Sequence, residues 1–266
     1  MKKVYYLISL MEIVGKKTIE FLIILGYSGI FLFDIFLSSI DLKKNKMDFI
    51  KQFYFIGVLS CSLFIASSLF IGMVVGLQCY YIVQNFGTHD LIGQTASLTI
   101  VRELGPVVSA ILFTGRTGSA LTAEICLMKS TDQLAAMEMM GICTIKKIIV
   151  PRFWAGLFSL FLLSLIFIVI AILGAYLSAV VYINIDHDIF WNSVRGSINF
   201  RLDILNSLIK SVIFGVFIMW VALFQGINGD STVEGISSST TNTVVYSIFI
   251  ILSINFLLTS LMFGWK

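Results

Sequence analysis

The chain has 266 residues, of which 58% are hydrophobic and 12% are charged, and it contains two prolines and four cysteines. This composition excludes an ordinary soluble domain and is typical of an integral membrane protein, and apolar runs of about 20 residues or more predict an all-α fold. The net charge of +3 does not indicate a nucleic-acid partner, because the basic residues flank apolar segments instead of lining one face.

The first 50 residues predict a cytoplasmic or interfacial helix region. An apolar segment from 18 to 40 is long enough to span a bilayer, yet lysines flank both of its ends. The positive-inside rule then keeps both ends in the cytoplasm. Because Glu20, Asp34 and an interruption from Gly26 to Gly29 break the segment, we expect an interfacial or re-entrant helix instead of a sixth span.

Residues 51–266 are predicted to form a five-helix transmembrane domain. Eight of the 18 lysines and arginines precede Gln52 and five more lie from 116 to 152, whereas the segment 85–93 has none. The N-terminus and the 116–152 loop are therefore predicted to be cytoplasmic. The spans are expected at about 53–83, 91–115, 153–183, 202–225 and 243–263, with a last inside loop from 226 to 241.

The first span carries a G-x-x-x-G spacing at Gly72 and Gly76, which allows helices to approach closely and is a weak indication of a dimer. Its outer half continues as an apolar wall. Such a wall could hold acyl chains or could simply face lipid, and periodicity does not choose between them. The wall consists of Val75, Ile82, Val83 and Phe86.

The second span contains two adjacent charges, Arg102 and Glu103, near its centre. A charge at that depth costs at least ~2.5 kcal/mol on insertion scales, so both side chains should face protein or a wet cavity and have partners. Gly105 and Pro106 follow at once, and the proline removes a backbone hydrogen bond and is expected to kink the helix.

The fourth span offers the partners, because Asp203 and Lys210 are seven residues apart and share one helix face. The simplest pairing joins Glu103 to Lys210 and Arg102 to Asp203. The four charges either serve transport or only fix the packing of the two helices.

The 116–152 loop contains a methionine-rich segment. Ser130 followed by Gln133 matches a capping box, which predicts a short helix that starts at Ser130 or Thr131 and ends at Gly141. Its methionines would form an adaptable apolar surface for a partner, or the helix would pack on its own membrane domain.

Catalytic and metal-binding motifs are missing from the sequence. It has no Walker A motif, nucleophile elbow or H-E-x-x-H motif, and its cysteines form no C-x-x-C pair. We therefore expect a non-catalytic chain without metal or cofactor, and any ATPase must be another chain. The alternative is a proton-coupled secondary transporter or channel that uses Glu103 or Asp203. The lack of a transporter-sized internal repeat weakens that alternative.

Several segments taken together resemble the MlaE/YrbE family of bacterial ABC permeases, and the similarity covers nearly the whole chain. They are FIGMVVGLQ (70–78), VRELGPVV (101–108), GRTGSALTAEICLM (115–128), TDQLAAMEMM (131–140), PRFWAG (151–156) and LTSLMFG (258–264).

The resemblance implies a permease that moves phospholipids between the inner and outer membranes to maintain outer-membrane lipid asymmetry. It also implies an inner-membrane homodimer with five spans behind an interface helix and a cytoplasmic N-terminus. The implied partners are a cytoplasmic ATPase that holds ATP and Mg²⁺, a STAS-domain subunit and a hexameric periplasmic MCE-domain subunit.

The resemblance also assigns roles to residues. Arg102, Glu103, Asp203 and Lys210 match the family's intramembrane polar cluster, and Val75, Ile82, Val83 and Phe86 match its lipid cavity. The coupling helix that contacts the ATPase would lie near 130–140 and include Thr131, Asp132, Gln133, Leu134, Met137 and Glu138. This chain departs from the family at Ser238 and Asn242, which stand where arginines are usual.

Overall fold

The computed structural model describes residues 2–38, 46–84 and 91–263, and the regular elements in these ranges are all helical. The α-helices are α1 (Lys2–Ser38), α2 (Lys46–Phe53), α3 (Leu59–Gln84), α4 (Ile92–Thr99), α5 (Gly105–Phe113), α6 (Ser119–Ser130), α7 (Gln133–Met139), α8 (Val150–Tyr176), α9 (His187–Ser197), α10 (Leu205–Asn228) and α11 (Val233–Phe263). Short π-helical turns join many of them, so several neighbouring helices run on as one rod.

Six stretches of the described chain are long and apolar enough to cross a membrane. They are 18–38, 47–84, 92–130, 145–182, 202–228 and 233–262. Length and composition therefore allow six crossings, whereas the flanking charges predict five. The additional stretch lies in α1.

The expected interruption of α1 from Gly26 to Gly29 is wrong, because the helix runs through this segment without a break. Ser28 donates its hydroxyl to the carbonyl of Leu25 at 2.9 Å, within the same helix. The Nε1 of Trp220 in α10 donates to the carbonyl of Ser28 at 2.8 Å. Ser28 is therefore the point of this segment that contacts α10, and the glycines on either side of it do not end the helix.

The core of the bundle lies where α3 packs along α8. A methyl group on Gly72 would overlap the backbone carbonyl of Ala171, and one on Gly174 would overlap the carbonyl of Leu69. A methyl group on Gly76 would collide with the hydroxyl of Ser178. The G-x-x-x-G spacing thus serves a contact within the chain, and the dimer that it weakly indicated has no support from these glycines.

The stretch 92–130, which contains the predicted second span, is longer than predicted. It was expected to end at Gly115, but helix continues through α6 to Ser130. A π-helical turn over Thr114–Gly118 accommodates both glycines and Arg116 without ending the rod. Glycines and a charge that predicted a boundary therefore lie inside a helix of about 58 Å, well beyond the ~30 Å hydrocarbon core.

The expected inside loop from 226 to 241 is also too long. Helix α10 continues to Asn228 and α11 begins at Val233, which leaves a connection of residues 229–232. Ser238 and Asn242 are exposed positions on the first turns of α11.

Helix α9 was not predicted. Its N-cap, Asp186, accepts a hydrogen bond from the backbone N–H of Asp188 at 3.1 Å, which is the side-chain capping typical of a helix start. An aspartate that precedes an amphipathic segment was the signal that sequence inspection missed.

Candidate functional site

The two charges Arg102 and Glu103 of the stretch 92–130 lie on a π-helical turn, Ile100–Leu104. The N–H of Gly105 bonds to the carbonyl of Ile100, five residues back, and Pro106 follows in the first turn of α5. The expected disruption at the Gly-Pro pair therefore takes the form of a widened turn. π-Helical turns of this kind are frequent at functional sites.

Lys210 reaches this turn from α10 and its side chain is fully buried. Its Nζ lies 2.9 Å from Oε1 of Glu103, 3.0 Å from the carbonyl oxygen of Arg102 and 2.8 Å from Oγ1 of Thr259. An ammonium group has three hydrogens to donate, so these acceptors satisfy it completely. The structure thus contains the Glu103–Lys210 pair that the sequence predicted.

Glu103 also contacts α11. Thr259 donates its hydroxyl to Oε1 at 2.9 Å, and the Nδ2 of Asn255 donates to Oε2 at 3.0 Å. The sequence interpretation did not single out these two residues. Their spacing of four within an apolar run places them on one helix face, which was the available signal.

Arg102 pairs with Asp203, as the sequence predicted. Its Nε lies 2.8 Å from Oδ1 of Asp203, whose side chain is fully buried. The other carboxylate oxygen accepts the backbone N–H of Asn199 at 2.8 Å. We call Arg102, Glu103, Asp203 and Lys210 the polar cluster.

The polar cluster contains two cations and two anions, so it is neutral as a set. A buried ion pair repays its desolvation only when its geometry is good and further hydrogen bonds satisfy the remaining atoms. Both conditions hold around Lys210 and Glu103. Together with Asn255 and Thr259, the cluster therefore ties the stretches 92–130, 202–228 and 233–262 together, and breaking one member would leave an uncompensated charge.

The four wall residues do not form one surface in this chain. The side chain of Ile82 is 59% exposed, whereas Val83 is buried in the core and Val75 is partly buried against it. Successive helix positions point about 100° apart, so Ile82 and Val83 cannot face the same environment. Val83 therefore does not face the surroundings in the single chain, the lipid-cavity role of these four residues stays a prediction, and Phe86 lies outside the described residues.

The methionine-rich segment forms α7, but it starts later than predicted. The hydroxyl of Ser130 donates to the carbonyl of Leu127 at 2.9 Å and closes the end of α6. Asp132 adopts a left-handed conformation with φ of 56°, and α7 begins after it. The capping box is thus wrong, because Ser130 is already used by the preceding helix.

Helix α7 has no buried residue. Thr131, Asp132, Gln133 and Glu138 are exposed, and Leu134 and Met137 are half-buried. Met139 is 87% exposed, which is unusual for a large apolar side chain. The helix therefore presents a polar and apolar surface away from the bundle.

Ion pairs brace the bundle near α7. Arg152 is buried and its Nη2 lies 2.6 Å from Oε1 of Glu124, while Lys147 lies 2.6 Å from Oδ2 of Asp48.

The end of α6 is also bonded to α10. The Nζ of Lys129 donates to the carbonyls of Ile227 and Gly229 at the end of α10. Sequence inspection did not pair these residues, since their partners lie on other helices.

Metal-binding groups are not evident in the described part of the chain, where no three His, Cys, Asp or Glu side chains lie close enough to hold an ion. What the described residues provide is a multi-pass helical bundle with a neutral, partly buried charge network and an exposed short helix. These features define a polytopic helical membrane protein.

Comparison with known proteins identifies the family. Residues 49–261 match the family model described as "Permease MlaE". The chain is 43% identical to the "Intermembrane phospholipid transport system permease protein MlaE" of Haemophilus influenzae, over 97% of this chain and 99% of the relative. The chain belongs to the MlaE permease family.

More distant relatives also match most of the length of this chain. A probable ABC transporter permease protein of Rickettsia typhi is 31% identical over 97% of this chain and 99% of its own length. One from Synechocystis is 34% identical over 86% of this chain and 87% of the relative. The similarity therefore covers the whole bundle and is not confined to one motif.

Proposed function

We propose that this chain is the membrane-embedded permease subunit of an ABC complex that transports phospholipids between the inner and outer membranes. The observation that carries this proposal is the 43% identity to the phospholipid transport permease of Haemophilus influenzae over almost the full length of both chains. The chain itself would not hydrolyse ATP; a separate subunit would bind ATP and Mg²⁺.

The proposed assembly is a homodimer in the bacterial inner membrane, with five crossings per chain and the N-terminus in the cytoplasm. The excess of lysine and arginine before Gln52 and from 116 to 152 supports this orientation. In this arrangement α1 lies along the membrane–water interface, which agrees with the lysines at both of its ends. A STAS-domain subunit and a hexameric MCE-domain subunit would complete the complex on opposite sides of the membrane.

We assign the coupling role to α7. Its lack of buried residues and its exposed methionine support contact with another chain. The end of α6 that leads into α7 is fixed to α10 by Lys129, so movement of α7 would be transmitted to α10 and hence to Lys210.

The polar cluster would stabilise one arrangement of the rods relative to another during transport. A pairing energy of about 1 to 3 kcal/mol would change the populations of two states by roughly 5- to 150-fold. A phospholipid would occupy an apolar space beside the exposed face of α3, where Ile82 is the described wall residue that is open to the surroundings.

The proposal is tested by reconstituting the chain with the ATPase encoded beside it and measuring transfer of a labelled phospholipid. We expect transfer to require ATP and to stop when the Walker A lysine of the ATPase is replaced. Transfer that persists without the ATPase and follows an imposed pH gradient would contradict the proposal and favour a proton-coupled transporter.

A further inference from the structure

A small cavity of about 170 Å³ lies between the stretches 47–84 and 92–130, away from the polar cluster. Both of its walls include π-helical turns: Phe55 and Ile56 lie in the turn Tyr54–Val58, and Arg116 lies in the turn Thr114–Gly118. Arg116 follows Arg102 by 14 residues, which is roughly 21 Å along the rod. The cavity is therefore a separate place in the membrane domain.

Arg116 contributes a buried donor to this region that has no acceptor. Its Nη1 is inaccessible to solvent, and no atom of the described residues accepts a hydrogen bond from it. The neighbouring Ser60 also lines the cavity, and its hydroxyl donates to the carbonyl of Ile56 at 2.5 Å. A guanidinium group stays charged under all ordinary conditions, so leaving one of its donors buried and unsatisfied is costly.

The mouth of the cavity is apolar and open to the outside of the bundle. Phe55 is 55% exposed and Leu59 is 45% exposed. Lys51 precedes Phe55 by about one helical turn, so the mouth lies roughly 6 Å further into the membrane than this lysine. That depth corresponds to the boundary between lipid headgroups and acyl chains.

We propose that this cavity binds the phosphate group of a membrane phospholipid, with Arg116 donating to a phosphate oxygen and the acyl chains lying over Phe55 and Leu59. The cavity has room for a headgroup phosphate but not for a whole lipid, so the chains stay outside. Because Nη1 of Arg116 is closed to solvent, the side chain must turn further into the cavity that it lines before this donor reaches a phosphate oxygen. A phosphodiester then supplies the missing acceptor, and the exposed rings and methyl groups supply contact for the tails. The proposal rests on Arg116 and the membrane setting, and it does not depend on transport.

Photo-crosslinking of the full chain in phosphatidylethanolamine vesicles tests the site. p-Benzoyl-phenylalanine is placed at position 55 or, as a control, at the exposed position 249 of α11. Each protein is exposed to a trace of labelled phosphatidylethanolamine or of labelled diacylglycerol with the same acyl chains. We expect position 55 to prefer the phospholipid by about tenfold and position 249 to show no preference.

Substitutions at Arg116 identify the donor. Arg116→Gln should remove the preference at position 55, and Arg116→Lys should retain most of it, while crosslinking at position 249 reports that the bundle is intact. Equal labelling of position 55 by the two lipids in the wild-type chain would overturn the proposal. A preference at position 55 that Arg116→Gln leaves unchanged would overturn it as well. The wild-type comparison decides alone if Arg116→Gln does not fold.

Inorganic phosphate distinguishes a lipid headgroup from a free anion. We expect an excess of it in the buffer to leave the labelling at position 55 unchanged, because the acyl chains hold the lipid in place. Loss of the phospholipid adduct under these conditions would overturn the lipid assignment in favour of a soluble anion. Because no ATPase is present, failure here leaves the proposed transport function untouched.

Discussion

The Nζ of Lys210 and the Oε1 of Glu103 lie 2.9 Å apart, and Thr259 contacts both atoms. This arrangement joins three long rods through a single lysine whose side chain is fully buried. Because the ammonium group of Lys210 is inaccessible to solvent, only the surrounding acceptors stabilise its charge.

Replacing Lys210 by Ala should strongly destabilise the bundle, because Glu103 would keep its charge without its cation. The Glu103 side chain is 36% exposed and solvent compensates part of its charge, so the loss should fall below the ~3 to 5 kcal/mol of a fully buried ion pair. Thermal unfolding of the purified chain in detergent and phospholipid transfer by the reconstituted complex both measure the loss. Adding Glu103→Gln should restore part of the stability, since it removes the uncompensated charge; a double variant no more stable than Lys210→Ala would contradict the pairing.

Thr259→Val should be destabilising by about 1 to 3 kcal/mol, because it keeps the shape of the side chain and removes the hydroxyl between Lys210 and Glu103. Ser253→Ala is the matched control. Its hydroxyl is on the same helix but exposed, and it bonds only to the carbonyl of Phe249 within that helix. Melting temperatures of the two variants should differ clearly, and equal values would show that the hydroxyl of Thr259 is not part of the network.

The polar cluster was predictable from the sequence because charges are rare in apolar spans and the seven-residue spacing of Asp203 and Lys210 fixes a common face. Asn255 and Thr259 were not, since uncharged polar residues occur in spans for many reasons. Only the packing of α11 against the second rod shows that they contact Glu103.

Helix boundaries were less predictable than the number of apolar stretches. Glycine and charge near 115–118 indicated an end of the second span, but a π-helical turn absorbs both. Likewise, Ser130 matched a capping box by residue type, while its hydroxyl was already bonded to Leu127 at the end of α6. Residue type indicates which hydrogen bonds a side chain can form, and the surrounding structure determines which of them it does form.

Gly72→Ala should destabilise the chain itself, because the added methyl group would overlap the backbone of Ala171 in α8. Overpacking of this kind typically costs about 1 to 3 kcal/mol. Gly115→Ala is the control, since nothing lies within 4 Å of a methyl group at that helical position. The melting temperature should fall for Gly72→Ala only. If Gly72→Ala left the stability unchanged and abolished only self-association, the G-x-x-x-G spacing would belong to a dimer contact instead.

Met139→Glu should leave the bundle as stable as the wild type, because the side chain is 87% exposed and packs against little of its own chain. The same change should weaken binding of the ATPase by roughly tenfold or more, since a charge would replace an apolar contact on the exposed surface of α7 that we propose for coupling. Affinity of the detergent-solubilised chain for the purified ATPase measures this directly. Ile189→Glu in α9 is the control, an exposed apolar position on another surface of the bundle, and it should bind normally. Unaltered binding by Met139→Glu, with the control also normal, would exclude the exposed face of α7 as the contact.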